Sequence, residues 1–221
     1  MLAISDLPLV RPWPIVSAPM KDNLKRELWP VKGLPELTEE LRAADEGSRN
    51  QRAERAAFLI QEFGTPSGMM LTGGLNAALA ISELQSSFLN GNFMATILLC
   101  QVFVESSLGG SFAFSGDEEA MLKGFKYLID RSVAEKRISQ ALGERLQNLR
   151  EDVRNAYGHP RPFSNGRKGL LDRVGERGLR LEKLAETDAR EAIQVVVDFL
   201  REGRPEWTPN STRCTIPSTV V

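Results

Sequence analysis

The chain has 221 residues, of which 42% are hydrophobic and 26% charged, and a formal net charge of −1. This composition is typical of a soluble globular protein and lacks the overall basic excess that would by itself indicate nucleic-acid binding. Cys100 lies in an apolar run and Cys214 in a polar tail, which favours a reducing compartment over a disulfide. The N-terminus does not resemble a secretory signal, and the apolar run 93–104 is short of the ~20 residues that span a bilayer. We therefore expect a cytoplasmic protein with no membrane partner.

Prolines separate an N-terminal arm from the rest of the chain. Six of the twelve prolines fall within residues 1–35, where they prevent a continuous helix. We expect an extended, Pro-rich arm there, with Trp13 and Trp29 packed against its own domain or a partner. Residues 36–71 are predicted to be a helical segment that stops at Gly64-Thr65-Pro66. The first half of this segment is either part of one helix or a separate short helix.

The next part of the chain, 72–205, shows helical periodicity throughout and no alternating strand pattern. It predicts an all-α bundle. An amphipathic helix begins near residue 75 and closes at 90–92. The apolar helix that follows, 93–108, is expected to be the central one and to end at Gly109-Gly110. Ser115 and Glu118 have capping-box spacing, which predicts the start of a helix that continues to Val133.

A further helix has the clearest apolar stripe. Its apolar residues follow each other at intervals of three and four, which predicts one buried face: Ile138, Leu142, Leu146, Leu149, Val153 and Ala156. Gly158 and Pro160 are expected to end it. Residues 161–184 contain four glycines and predict a long loop with one helical turn at most. A last helix is expected at about 188–202, followed by a flexible tail, 206–221.

The stripe helix ends in the hexapeptide Arg154-Asn155-Ala156-Tyr157-Gly158-His159, which contains the only histidine of the chain. Histidine is the side chain best suited to exchange protons near neutrality, and a nearby guanidinium can hold phosphate oxygens. On an ideal helix Asn155 and His159 are neighbours, whereas Arg154 and His159 stand about 140° apart and flank the stripe. Such a group suits phosphodiester cleavage without a metal, with His159 moving protons, Arg154 binding phosphate and Asn155 in support. We expect no metal or other cofactor.

Each of these residues also has a purely structural interpretation. Arg154 and His159 near a helix C-terminus interact favourably with the negative end of the helix dipole. Glu105 either pairs with Arg154 or Arg150 inside the bundle or is an exposed carboxylate at a helix end. Tyr157 is more readily explained as half-buried packing than as a catalytic phenol. Arg150 either extends a basic ridge or is solvated.

The hexapeptide resembles the signature of the HEPN superfamily, an arginine followed by four to six residues and a histidine, often with asparagine directly after the arginine. The resemblance implies a HEPN-like bundle of four to five core helices, here with an N-terminal arm and an additional helix. It also implies a metal-independent endoribonuclease of the kind found in toxin and phage-defence systems. Such proteins dimerise so that two motifs share one cleft, which would supply the second histidine that one chain lacks.

By that analogy Arg154, His159 and Asn155 form the catalytic group. The basic segment after the motif, with Arg161, Arg167 and Lys168, would guide the RNA, or else is an ordinary solvated loop. An antitoxin or regulatory protein is a further possible partner. One toxin branch carries a tyrosine two residues after the histidine, where this chain has Arg161. The alternative is a non-catalytic HEPN-like module that dimerises and binds a protein or a nucleotide.

Overall fold

Helices form all the regular structure in the part of the chain that the computed structural model describes, residues 33–64, 73–159 and 169–202. This confirms the all-α class. The arm before residue 33, Arg161, Arg167, Lys168 and the tail lie outside the described residues. The elements are α1 (Leu34–Phe63), α2 (Gly74–Leu89), α3 (Phe93–Phe114), α4 (Glu118–Met121), α5 (Phe125–Ala134), α6 (Gln140–Asn148), a π-helical turn (Leu149–Arg154), α7 (Asn155–Gly158), α8 (Leu170–Arg177) and α9 (Leu181–Glu202).

The chain divides into two units within α1, between Ser48 and Arg49. In the first unit, the described residues are those of the N-terminal half of α1, and none of them is buried. The helix is continuous across Gly47, so its first half is not a separate helix. It begins at Leu34, two residues earlier than predicted, because Pro35 fits the first turn, where no helical hydrogen bond is lost.

The second unit is built around α3, as its nearly continuous apolar sequence predicted. α3 packs against α2, α4, α5, α9 and the π-helical turn. Phe103 and Phe112 of α3 are almost fully buried, together with Phe88 of α2 and Ile193 of α9. α3 is also long and apolar enough to cross a membrane, but 56% of its most apolar stretch is buried inside the protein. Burial of this kind is expected for the central helix of a bundle.

The predicted end of α3 at Gly109-Gly110 is wrong, because the helix continues to Phe114. Both glycines are buried within it. A Cβ at Gly109 would lie 3.6 Å from Met121 Cα of α4, an ordinary van der Waals distance, so this position contacts α4 without requiring a glycine. Ser115 is the C-cap of the helix, and Gly116 follows with a φ of +86°, a conformation that glycine adopts readily.

The predicted capping box and the single helix after it are also wrong. Asp117, not Ser115, caps α4, and its carboxylate accepts a hydrogen bond from Ala120 N at 3.1 Å. α4 ends at Met121, and α5 begins only after the extended backbone of Gly124. Because of this break, Met121 and Leu122 are 52% and 86% exposed instead of lying on a buried face.

All six stripe residues from Ile138 to Ala156 are buried, which confirms the predicted buried face. Ser139 caps the start of α6, and Glu202 of α9 accepts hydrogen bonds from its N and Oγ, so the ends of the two helices are tied together.

The predicted loop, 161–184, is wrong for its second half, which forms α8 and the first turn of α9. Asp172 accepts a hydrogen bond from Gly169 N at 2.7 Å at the start of α8. Gly178, at a φ of +59°, ends that helix. Gly169 and Gly178 therefore mark the two ends of a short helix.

Gly143 provides a test of how closely α5 and α6 pack. A Cβ at this position would overlap Val133 Cγ2. We expect Gly143→Ala to lower the free energy of unfolding by about 1–3 kcal/mol, although alanine is intrinsically the better helix former. Gly175→Ala is the matched control, since an added Cβ there meets nothing within 4 Å, and it should stabilise by up to ~1 kcal/mol.

Urea unfolding of both variants measures the difference. In a double-mutant cycle, Val133→Ala should reduce the cost of the Gly143 substitution. Equal stabilisation by the two glycine substitutions would show that the helices do not pack as described.

Candidate functional site

The helix that carries the hexapeptide contains a π-helical turn, Leu149–Arg154, immediately before the motif. Leu149 and Val153 remain buried in this turn, so it does not interrupt the apolar stripe. Such turns inside α-helices are rare and are often found at functional sites. Arg154, the last residue of the turn, is partly exposed.

The structure brings Arg154, Asn155 and His159 into direct contact. Arg154 Nη1 lies 2.9 Å from His159 Nε2 and donates to Asn155 Oδ1 at 3.0 Å. Because a guanidinium can only donate, His159 Nε2 is the acceptor in this contact. His159 itself is exposed.

This contact differs from the helical expectation, in which Arg154 and His159 stand far apart around the helix. The helix ends at Gly158, and His159 has an extended backbone with a φ of −138° and a ψ of 132°. The chain therefore leaves the helical path one residue before the ring. The predicted neighbours Asn155 and His159 are linked through the His159 N–H, which donates to Asn155 O at 3.2 Å, and through their shared contact with Arg154.

An open cleft of about 580 Å³ adjoins the motif. Its volume is in the range of small-molecule sites. Arg150, Arg154, Asn155 and Glu105 all line it, whereas Tyr157 and His159 are not among its lining residues. The complete lining comes from α3, from Gly124 and the α5 helix that follows it, and from the helix that carries the hexapeptide, here called the motif helix: Gln101, Glu105, Gly124, Phe125, Lys126, Tyr127, Asp130, Arg150, Arg154 and Asn155.

Glu105 fits neither of its two predicted interpretations. It lies within α3 and is half-buried, so it is not at a helix end. Its carboxylate shares the cleft with Arg150 and Arg154, but the hydrogen bond it accepts comes from Gln101 Nε2 at 3.1 Å. No ion pair of Glu105 occurs among the described residues.

The other charged groups of the cleft are largely paired. Asp130 pairs with Lys126 and accepts a hydrogen bond from Gln147 Nε2 at 2.8 Å. Arg150 pairs with Glu151 and donates to Gln147 Oε1 at 3.0 Å. Arg150 and Arg154 line the same cleft, together with the carboxylates of Glu105 and Asp130.

Tyr157 is part of a buried network that the sequence did not reveal. Its hydroxyl donates to Asp188 Oδ2 at 2.9 Å, and the same carboxylate accepts two hydrogen bonds from Arg173. Asp188 is fully buried, and Arg173 is only 7% exposed. Burial, and then the negative charge of Asp188, raises the pKa of the Tyr157 phenol. Tyr157 therefore holds the motif helix to α8 and α9, as the packing interpretation favoured.

The sequence does not reveal that Arg173 pairs with Asp188. Arg173 is one of many basic residues near the motif, and because the two residues lie on different helices, their spacing does not predict a contact. Only the periodicity of α9, on which Asp188 stands beside buried Ala189 and Ala192, would have marked that carboxylate as core.

No other reactive group is evident in the described part of the chain. Among those residues, no group of three or more His, Cys, Asp or Glu side chains could hold a metal ion. Cys100 is buried and forms no disulfide, and burial raises the pKa of its thiol. A thiol in such surroundings is a poor nucleophile.

No model of a known family, no curated protein and no solved structure matches this chain. Its functional assignment therefore depends on the geometry of its own residues.

The buried network can be tested by its effect on stability. Asp188→Asn leaves the Arg173 charge without its partner, so we expect the free energy of unfolding to fall by about 3–5 kcal/mol. Tyr157→Phe removes one hydrogen bond to a charged group and should cost about 1–3 kcal/mol. Asp198→Asn on the same helix is the control, because Asp198 pairs with Arg145 and Arg201 at the surface and should cost less than about 1 kcal/mol. Urea unfolding gives all three values, and equal costs at positions 188 and 198 would contradict the network.

Proposed function

We propose that this protein is a metal-independent endoribonuclease of the HEPN type that cleaves RNA at a site shared by two copies of the chain. The observation that carries the proposal is the hydrogen bond between Arg154 Nη1 and His159 Nε2. It joins a cation that lines an open cleft to an exposed imidazole. These are the two groups that phosphodiester cleavage needs in the absence of a metal.

Arg154 has hydrogen-bonding capacity left for a phosphate. Its described hydrogen bonds, to Asn155 and His159, both use Nη1. Nε and Nη2 form a planar pair of donors that can bind two phosphate oxygens side by side. In that position the guanidinium would stabilise the negative charge that develops at phosphorus.

His159 would take the proton from a ribose 2′-hydroxyl. The 2′-oxygen then attacks phosphorus, the bond from phosphorus to the 5′-oxygen breaks, and the products are a 2′,3′-cyclic phosphate and a 5′-hydroxyl. In the free protein the accepting nitrogen Nε2 is occupied by Arg154. A substrate phosphate oxygen that also binds Nη1, beside the pair formed by Nε and Nη2, would draw this donor from the ring and free Nε2 to act as the base.

A second proton must reach the leaving 5′-oxygen, and one imidazole is not enough for both transfers in a single step. Because His159 is exposed, the ring of a second copy can approach it. A homodimer with both motifs in one cleft would supply the acid and the base, in keeping with the resemblance of the hexapeptide to the HEPN signature.

A second candidate function has its own support. The side chains of Asn155 and His159 are both hydrogen-bonded to Arg154, so the motif is a satisfied polar group at a helix C-terminus. A non-catalytic module that dimerises and binds a protein or a nucleotide would have no need of free catalytic groups.

The enzyme hypothesis is tested by incubating the purified protein with RNA in EDTA. We expect cleavage that His159→Ala lowers by about 10²–10⁴-fold and Arg154→Ala by about 10²-fold or more. Lys136→Ala removes an exposed cation that does not line the cleft and should leave the rate unchanged. Far-UV circular dichroism checks that each variant is folded, and sedimentation measures the dimer.

Equal cleavage by the wild type, His159→Ala and Arg154→Ala would exclude the proposed roles. A dimeric protein that cleaves no RNA would instead favour the non-catalytic module.

A further inference from the structure

The N-terminus of α5 forms one wall of the cleft. Gly124, which precedes the helix, provides no side-chain cap, and no described residue accepts a hydrogen bond from the amides of Phe125, Lys126 or Tyr127. Free amides at the positive end of a helix dipole bind phosphate readily. Arg150 and Arg154 line the same cleft. The amides at the start of α5 and the two arginines therefore provide hydrogen-bond donors for an anion in the cleft.

The α3 wall has the opposite character. Gln101 and Glu105 line it, and Gln101 Nε2 donates to Glu105 Oε2 at 3.1 Å. Gln101 Oε1 has no hydrogen-bond partner, but this atom is enclosed within the protein and is not offered to the cleft. The partly buried carboxylate of Glu105 accepts no other described hydrogen bond. It can therefore accept hydrogen bonds from a ligand that brings donors of its own.

A nucleotide combines an anionic phosphate with a base that can carry donors. Among the RNA bases, guanine presents two adjacent donors, N1–H and N2–H, on its Watson–Crick edge, and one carboxylate can accept both. Tyr127, a residue that is 42% exposed and lines the same cleft, can stack on the base, as aromatic residues do in single-stranded RNA recognition. The other carboxylate of the cleft, Asp130, is already paired with Lys126.

We propose that this cleft binds a guanosine nucleotide, with Glu105 accepting from the guanine edge, Tyr127 stacked on the base, and the phosphate between the start of α5 and the arginines Arg150 and Arg154. The position of this nucleotide next to the cleaved bond rests on the function proposed above. The binding itself does not depend on cleavage.

Calorimetric titration of the folded protein tests the base preference. The probes are 3′-GMP and 5′-GMP, the corresponding adenosine, cytidine and uridine monophosphates, and inorganic phosphate. We expect a guanosine monophosphate to bind at least about tenfold more tightly than the others, since a paired hydrogen-bond contact discriminates bases by that factor or more. The phosphate position that binds better shows on which side of the bond the guanosine lies.

Variants assign the contacts. Glu105→Gln should remove most of the guanosine preference and leave phosphate binding unchanged, because the amide presents a donor where guanine also has donors. Glu83→Gln is the matched control, an exposed glutamate on α2 that does not line the cleft. Tyr127→Ala should weaken all four nucleotides and leave phosphate binding unchanged.

Mapping the ends of cleaved RNA separates this inference from the enzyme hypothesis. Guanosine next to the cut in the wild type, with that preference relaxed in Glu105→Gln, supports both. Guanosine monophosphate binding without any RNA cleavage supports the site and overturns the enzyme. Equal binding of all nucleotides, no nucleotide binding, or an unchanged preference in Glu105→Gln overturns the guanosine site, whatever the protein does to RNA.

Discussion

The fully buried carboxylate of Asp188 is the interaction on which the motif region depends. It binds Arg173 of α8 through two hydrogen bonds and Tyr157 of α7 through a third. A carboxylate out of contact with water is tolerated only when its charge and its lone pairs are satisfied, so these partners cannot move independently. Tyr157 lies between Arg154 and His159 in the sequence. Because Tyr157 is bound to Asp188, the short helical segment between Arg154 and His159 is held in place.

The candidate site itself is held by weaker, more exposed contacts. The hydrogen bonds of Arg154 to Asn155 and His159 involve side chains that are partly or fully exposed. Water or a phosphate can replace such bonds at little cost, whereas the Asp188 network allows no such exchange. A rigid anchor beside exchangeable contacts is suited to the proposed binding site, because the backbone can stay in place when an exposed side chain exchanges its hydrogen-bond partners.

Features that depend on helical periodicity were predictable from the sequence, whereas features that depend on contacts between distant residues were not. The buried stripe from Ile138 to Ala156 was predictable because a helix repeats its faces every three or four residues. The two glycines at 109 and 110 were misinterpreted as a stop, because both are buried inside the bundle, where packing against neighbouring helices outweighs the low helix propensity of glycine. The Tyr157, Asp188 and Arg173 network was missed because its members lie on three different helices. At the site, the motif residues could be identified, but not the cleft that they share with α3 and α5.

The contact between Arg154 and His159 depends on where the helix ends. At a separation of five positions on a continuous α-helix, the two side chains would point about 140° apart. They meet because Gly158 is the last helical residue and His159 takes an extended conformation. The contact within the hexapeptide thus requires a helix that stops one residue before its histidine. A glycine in that place favours such a stop, since it stabilises a helix less than any residue other than proline.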